Sequence, residues 1–320
     1  MKRSDRRRFL QTSLTGLAGL ASVPLLASLS GCEEVPAKGG TEAPKTVALT
    51  RTQLTERVSL ISGAPGNVLV LSGGDGLLLI DSGAAASARS LRQTLGASPV
   101  RTLFNTHYHS DQTGGNALFG AAGATIHAHE ITKQWLATDY YVPAEDRWVK
   151  ALPPVAVPTA FFREQSELKV GAENVEAGYL LEAHTRGDIY VYLRDSNVLA
   201  VGHVASPVRD PELDWYAGGW IGGRADAMDL LVKLANDDTK IVPAFGPVMT
   251  KAQLQAETQM MKHLYDRTTE LTDHGRSAKD MLDEGVMNDI GRKFDDPYKF
   301  LYDVSKGLWA HYTNFGGNIV

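Results

Sequence analysis

Short apolar runs separated by glycine-rich turns mark the first part of the chain. Residues 68–71 and 77–80 are two such runs, and the Gly-Gly-Asp-Gly turn at residues 73–76 predicts a β-hairpin. Further apolar runs at residues 100–105 and 198–201 indicate buried strands. Because helical stretches alternate with these strands, the pattern predicts an α/β domain whose sheets are covered by helices.

A helical periodicity marks the end of the chain. Residues 250–273 place apolar side chains at helical spacing among charges, and residues 277–289 and 298–312 repeat the pattern. We expect a helical C-terminal extension over residues 251–320, which packs on the domain or forms a homo-oligomer with a second subunit. The histidines of this region are interpreted as surface or packing residues: His263, His274 and His311.

The composition favours a globular protein that acts on a small molecule. The 320 residues are 43% hydrophobic and 22% charged, which allows a substantial core. The net charge of −5 and the pI near 6.0 do not indicate the positively charged surface that nucleic-acid binding requires. We therefore expect a small-molecule substrate and no nucleic-acid partner.

The N-terminus has the pattern of an export signal. Arg6, Arg7 and Arg8 precede an apolar run over residues 14–29, which is typical of a twin-arginine signal. An ordinary secretory signal with a basic start is the alternative. Either signal predicts an exported protein.

The single cysteine follows this apolar run. Cys32 is the only cysteine, which excludes an intrachain disulfide. It follows Leu-Ser-Gly, and this segment resembles the bacterial lipobox, whose cysteine carries the lipid anchor; a chance cysteine beside a cleavage site is the alternative. We expect residues 1–32 to be a signal peptide and residues 33–50 a flexible tether. The protein would then be a lipoprotein on a membrane of the bacterial envelope, facing the periplasm or the outer surface.

Two histidines and a carboxylate lie within five residues after the strand at 100–105. His107 and His109 are two positions apart, so both rings can converge on one cation from the strand end. Neutral imidazole is a preferred zinc ligand. Asp111 and a Gly-Gly pair follow, which favours a metal site over two surface histidines on a loop.

Residues 107–112 resemble the His-x-His-x-Asp-His signature of the metallo-β-lactamase-fold hydrolases, except at the last position. Residues 77–83 are similar to the strand of that family that ends in Asp-x-Gly. Residues 183–188 are similar to its Gly-His-Thr-x-Gly segment. The resemblance extends over residues 55–250.

The resemblance implies a fold and a first metal site. The fold is an α/β four-layer αββα sandwich of the metallo-β-lactamase type, over residues 51–250, followed by the helical extension. His107, His109 and His184 match the first site of the family. Three imidazoles with one open position is the arrangement that leaves water on zinc.

Three positions depart from the second metal site of the family. Gln112 replaces a histidine, His203 replaces the carboxylate that bridges two metals, and Phe245 replaces the last histidine. Glutamine is a poor zinc ligand and phenylalanine is none, so only Asp111 of that set is left. We therefore expect one metal ion per chain, zinc rather than iron.

Four side chains have roles that the sequence leaves between alternatives. Asp111 is predicted to be the general base, with metal ligation or a structural role as alternatives. His203 either ligates the metal, which would close the site, or hydrogen-bonds to Asp111 or to the substrate. Asp81 is expected to brace the histidine loop or to cap a helix over residues 84–95. Gln112 is expected to stand beside the ligands.

Two irregular loops carry aromatic side chains. Residues 139–159 and 210–223 are expected to form the rim of the substrate pocket, with packing against the domain as the alternative. Arg186 is expected to form a salt bridge with Asp188 rather than to bind a substrate carboxylate.

These features together predict a zinc-dependent hydrolase. Its substrate would be an ester-, lactone-, thioester- or β-lactam-like small molecule attacked by metal-activated water. The resemblance alone does not select among these substrates. Two alternatives are a mononuclear iron oxygenase that acts on a thiol, and a non-catalytic envelope binding protein whose metal site is closed or degenerate.

Overall fold

The computed structural model describes residues 48–142 and 146–316. The expected signal peptide, Cys32 and nearly all of the tether lie outside these residues. Within them, no helix combines the length and the apolar content needed to cross a membrane.

The described residues form two main sheets with covering helices. In chain order the strands are β1 (Thr50–Gln53), β2 (Val58–Ser62), β3 (Val68–Gly73), β4 (Gly76–Ile80), β5 (Val100–Phe104), β6 (Thr125–His129), β7 (Tyr140–Val142), β8 (Arg147–Val149), β9 (Ala160–Phe162), β10 (Gln165–Val170), β11 (Glu173–Tyr179), β12 (Ile189–Leu193), β13 (Val198–Gly202) and β14 (Lys240–Pro243). The helices are α1 (Ala88–Thr94), α2 (Ser110–Thr113), α3 (Asn116–Ala121), α4 (Glu130–Ala137), α5 (Ile221–Leu234), α6 (Lys251–Asp273), α7 (Ala278–Asp283) and α8 (Pro297–Gly316).

The first sheet has seven strands in the order β1-β2-β3-β4-β5-β6-β9. Its first four strands are antiparallel to their neighbours, whereas β5, β6 and β9 continue in parallel from β4. The predicted hairpin is confirmed, since β3 and β4 pair Leu69 with Ile80 and close between Gly73 and Gly76.

The second sheet has five strands in the order β10-β11-β12-β13-β14. Its first four strands are antiparallel to one another, and β14 runs parallel to β13. Strands β7 and β8 form a separate two-stranded ribbon within the predicted loop 139–159.

The two sheets pack face to face between layers of helices. Leu71 and Phe104 of the first sheet and Val191 of the second belong to one buried core. The outer face of the first sheet packs on α1 and α3 through Leu91 and Phe119. The outer face of the second sheet packs on α5 to α8. The predicted four-layer αββα fold is therefore confirmed.

The C-terminal extension is helical, as predicted. Helix α6 covers the predicted segment, and Thr250 and Gln253 close a reciprocal capping box at its start. Helix α7 ends earlier than predicted, because Gly285 adopts a left-handed conformation, with φ of 75°. Leu264 of α6 and Leu308 of α8 are fully buried against the second sheet, so the extension packs on its own domain.

Several strand ends meet at one edge of the sandwich. Strands β4 and β5 are parallel neighbours in the first sheet, as are β13 and β14 in the second. Strand β12 is antiparallel to β13, so the segment before β12 lies at the edge where β13 ends. The fold thus delivers the residues that follow β4, β5 and β13 and those that precede β12 to the same place.

Candidate metal centre

Four histidines converge at this edge. His107 and His109 follow β5, His184 precedes β12, and His203 follows β13; one ring nitrogen of each lies within 4.8 Å of those of the others. The Nε2 atom of His184 lies 3.2 Å from Nδ1 of His109 and 3.2 Å from Nδ1 of His203. A tetrahedral zinc ion with bonds of about 2.0–2.1 Å separates its ligand nitrogens by about 3.3 Å. The structure therefore brings His203 to ligand distance.

Protein acceptors orient two of the rings. Nδ1 of His184 lies 2.8 Å from the carbonyl oxygen of Glu212, and Nε2 of His109 lies 2.9 Å from Oδ2 of Asp214. When each of these nitrogens donates its hydrogen, the other ring nitrogen keeps a lone pair that faces the cluster. Such partners fix the tautomer of a metal-binding histidine.

Asp81 supports the third ring through Thr106. Its carboxylate accepts hydrogen bonds from the backbone nitrogen and the hydroxyl of Thr106, both at 2.8 Å. The same hydroxyl lies 3.1 Å from Nδ1 of His107. Burial raises the pKa of Asp81 to about 7, although the hydrogen bonds from Thr106 act to lower it. The alternative role of Asp81 as a helix cap is wrong, because the α-helix of this segment begins only at Ala88.

Three of the four rings are neutral and ready for a cation, whereas the fourth carries a proton. Burial and the neighbouring imidazoles lower the pKa of His107, His184 and His203 well below the usual value, so these rings are neutral at neutral pH. Burial alone would lower the pKa of His109. The hydrogen bond to Asp214 and the negative charge of Asp214 outweigh burial and raise the pKa of His109 to about 9. A cation that binds here therefore displaces a proton from His109.

Unpartnered polar atoms at the site fit a bound ion. Among the described residues, Nε2 of His107, Oδ1 of Asp111 and both amide atoms of Gln112 are buried without a hydrogen-bond partner. A buried polar atom left unsatisfied costs about 1–3 kcal/mol. Together with four converging imidazoles, these atoms fit a zinc ion and associated water.

Asp111 and Gln112 stand beside the cluster rather than in it. The carboxylate of Asp111 does not belong to the four-histidine set, although its charge acts on His109 and on Asp81. The amide of Gln112 packs on the backbone of Gly66. A Cβ added to Gly66 would lie 2.5 Å from Nε2 of Gln112. Metal ligation by Asp111, one of its expected roles, thus has no support from this arrangement.

Phe245 occupies the position of the missing histidine and packs on His203. Their ring centroids are 4.8 Å apart, and the guanidinium carbon of Arg209 lies 3.5 Å from the centroid of Phe245. A small cavity of about 20 Å³ touches all three residues. That volume holds about one water molecule.

Sequence reasoning missed Asp214. Its carboxylate is buried, accepts a hydrogen bond from the hydroxyl of Tyr108 and contacts His109. It also caps the short helical turn Trp215–Ala217. An aspartate before an aromatic, glycine-rich segment is an available signal for such a cap, which the prediction of a pocket rim or of packing against the domain does not use.

The predicted salt bridge between Arg186 and Asp188 is wrong, because Arg186 pairs with Glu182. Its guanidinium binds the carboxylate of Glu182 at 2.8 and 2.9 Å. Asp188 instead accepts hydrogen bonds from the backbone nitrogens of His184 and Thr185, at 2.6 and 2.7 Å. Asp188 therefore holds the turn that carries His184.

The two aromatic loops line a cavity that none of the four clustered histidines lines. Tyr140 from the first loop and Trp215 from the second face a space of about 740 Å³. The ring of Tyr108 separates this space from the cluster. Its centroid lies 4.6 Å from that of His109 and 4.8 Å from that of Trp135, which is part of the cavity wall. The expected rim thus surrounds a cavity that is separated from the histidine cluster by Tyr108.

Replacing Asp214 with asparagine should weaken metal binding by about 10- to 100-fold, because His109 loses the charged acceptor that orients it. Competition with a chromophoric chelator measures the change. Asp75→Asn is the control, since the side chain of Asp75 is 89% exposed in a surface turn. An unchanged affinity in Asp214→Asn would show that this contact does not prepare His109 for a metal.

Comparison with known proteins gives three matches of interest. A family model described as "Metallo-beta-lactamase superfamily" matches residues 61–246. The metallo-beta-lactamase type 2 of Bacillus cereus is 22% identical over 202 residues, which are 62% of this chain and 73% of the relative. The alpha subunit of a 2,4-dinitroanisole O-demethylase from Nocardioides sp. (strain JS1661) is 25% identical over 266 residues, 80% of this chain and 71% of the relative.

A solved structure shares the fold. The metallo-beta-lactamase from Pontibacter korlensis superposes with a TM-score of 0.55 at 21% identity, over 67% of this chain and 99% of that one. At this identity the likeness concerns the fold alone.

Proposed function

Because this chain belongs to the metallo-beta-lactamase superfamily, we propose that it is a zinc-dependent hydrolase of an ester-, lactone-, thioester- or β-lactam-like small molecule. One observation carries the proposal. Two and three residues after His109, Asp111 and Gln112 present buried polar atoms without a partner among the described residues. Such atoms beside a metal site are suited to binding water and a reacting carbonyl group.

The residues of the centre have separate tasks in this proposal. His107, His109 and His184 would hold zinc, which would supply a Lewis acid and lower the pKa of water toward neutrality. Asp111 takes a proton from the attacking water as the water oxygen bonds to the carbonyl carbon. The bond to the leaving group then breaks, and the leaving group receives that proton. The amide of Gln112 can donate to the substrate oxygen or hold the water.

The fourth histidine favours a second candidate, a metal site closed to substrate. His203 lies at the nitrogen spacing of a tetrahedral ligand, 3.2 Å from His184. Four protein ligands saturate a structural zinc site, whereas catalytic zinc keeps an open position. In that case the protein binds a ligand or partner without hydrolysis, and its metal stabilises the fold.

A substrate panel tests the hydrolase proposal. Zinc-loaded protein is assayed with a β-lactam, an aryl ester, a lactone and a thioester, and separately with 2,4-dinitroanisole, the aryl ether in the name of one relative. We expect hydrolysis of at least one of the first four compounds, its loss on chelation and its return with zinc. Asp111→Asn should lower the rate by about 10²- to 10⁴-fold while metal content is kept. No turnover by fully loaded protein would reject the proposal in favour of the closed site.

A further inference from the structure

The cavity of about 740 Å³ behind the histidine cluster is a candidate ligand site. It lies between α4, the segment that follows Asp214, and α8. None of the four clustered histidines lines it. Its walls carry five large aromatic side chains: Trp135, Tyr140, Trp215, Tyr216 and Trp220.

Two glycines that line the cavity allow its walls to pack closely. At Gly219 an added Cβ would lie 1.9 Å from the carbonyl oxygen of His184, so the aromatic segment packs on the turn of His184 too closely for any side chain. At Gly307 an added Cβ would lie 3.2 Å from Cβ of Trp220, so this glycine lets helix α8 approach the aromatic segment.

Polar groups occupy one part of the wall. Glu182 binds Arg186 and lies 3.4 Å from Nδ1 of His311, whose ring stacks on Trp220 at 3.5 Å between centroids. These groups supply donors and an acceptor beside a mainly aromatic surface. An apolar pocket with a few convergent polar groups is the usual form of a small-molecule site, and 740 Å³ lies within its usual range of about 300–1,000 Å³.

The cavity differs in origin from the histidine cluster. The histidines all lie within the matched residues 61–246, whereas Gly307, Ala310 and His311 come from the C-terminal extension beyond them. The family match therefore does not account for this wall of the cavity.

We propose that this cavity binds a planar aromatic small molecule at a site separate from the metal centre. The walls offer ring faces and edges in several orientations; Trp135 and Tyr140, for example, meet edge to face with centroids 4.7 Å apart. Aromatic pairs in these orientations strengthen binding beyond the area that they bury. A flat aromatic ligand can form several such pairs at once, and a hydroxyl on it can bond to Glu182 or Arg186.

Titration calorimetry with 2-naphthol tests this proposal on the full-length, zinc-loaded protein. We expect one binding site per chain, and at least fivefold weaker binding of 2-decalol, which has a similar size but no flat ring. Binding should also quench tryptophan fluorescence, because three of the five tryptophans, Trp135, Trp215 and Trp220, line the cavity.

Two variants of α8 locate the site. Ala310→Phe introduces a ring into the cavity and should weaken 2-naphthol binding at least tenfold. Trp309→Ala is the matched control, since this neighbour is 67% exposed and outside the cavity, and it should bind as the wild type does. Trp215→Ala, which removes part of the opposite wall, should weaken binding even if Ala310→Phe fails to fold.

Removal of zinc separates the cavity from the metal centre. Chelator-treated protein should bind 2-naphthol within about twofold of the loaded protein. Loss of binding with the metal, equal binding by Ala310→Phe, or no binding to the wild type would each overturn the proposal. None of these measurements depends on hydrolysis, so the proposed function can fail without affecting this inference.

Discussion

Replacing His109 with alanine is expected to abolish metal binding together with metal-dependent hydrolysis. The variant loses one nitrogen of the four-histidine set and leaves the buried carboxylate of Asp214 without its imidazole partner. Loss of a ligand from a zinc centre removes the Lewis acid as well. We expect elemental mass spectrometry to show about one zinc per wild-type chain and almost none in the variant, and turnover to fall by at least about a thousandfold.

His127→Ala is the matched control for this prediction. His127 lies on β6, where it stacks on Phe104 at 4.8 Å between centroids, outside the four-histidine set. Metal content and turnover should be unchanged in this variant. Hydrolysis that survives in His109→Ala would place the chemistry elsewhere in the protein.

His203→Ala separates the two candidate functions. Zinc that persists in this variant would mean that three histidines suffice, as an open catalytic site requires. Zinc that is lost with His203 would mean a four-histidine cage. The spacing of 3.2 Å between His203 and His184 makes loss of metal the expected outcome for a closed site.

Replacing Arg224 with methionine is expected to lower the free energy of unfolding by about 3–5 kcal/mol. Arg224 is fully buried, and its guanidinium donates to the carbonyl oxygen of Glu212 and to the hydroxyl of Ser206, both at 2.9 Å. Burial lowers its pKa to about 10, which leaves it charged at neutral pH, and the charge of Glu257 opposes this lowering. Methionine would leave these buried acceptors without their donor and would remove the positive charge that acts on Glu257.

Urea denaturation measures this loss. Arg163→Met is the control, because Arg163 is 79% exposed in its ion pair with Glu130 and should change stability by less than about 1 kcal/mol. The double variant Arg224→Met with Glu257→Gln should recover part of the loss, since it no longer buries a single charge. Equal stabilities of Arg224→Met and Arg163→Met would contradict the role assigned to the buried guanidinium.

Arg224 also connects stability with the metal centre. The carbonyl oxygen of Glu212 contacts both the guanidinium and Nδ1 of His184. Loss of Arg224 should therefore also weaken metal binding. The order of the two effects along a urea titration would show whether the loop at Glu212 loosens before the domain unfolds.

Features with local causes were predictable from the sequence. The hairpin of β3 and β4 follows from two apolar runs around a glycine turn, and α6 begins at Lys251, directly after Thr250, which closes a capping box with Gln253. The placement of His107 and His109 after β5 follows from their position at the end of an apolar run. Each signal arises from backbone hydrogen bonding and side-chain spacing within a few residues.

Features that depend on distant contacts were not predictable in the same way. The resemblance to a known family pointed to His184 as a metal ligand. The sequence left open whether His203 joins it, and the order of β12, β13 and β14 places His203 beside His184. The mistaken salt bridge of Arg186 has the same cause. Asp188 is close to Arg186 in sequence, but its carboxylate accepts a hydrogen bond from the backbone nitrogen of His184. Arg186 instead pairs with the carboxylate of Glu182.

The sequence by itself determined the alternation of strands and helices, the helical extension and the histidines that follow β5, because periodicity and turn chemistry act locally. The four-layer arrangement was implied by the resemblance to a known family. Only the tertiary structure decided that Asp214, 105 residues from His109, orients its ring, and that helix α8 closes an aromatic cavity against Trp220. Such contacts depend on how sheets and helices stack, and a buried carboxylate or ring finds its partner only after that packing has removed water from both.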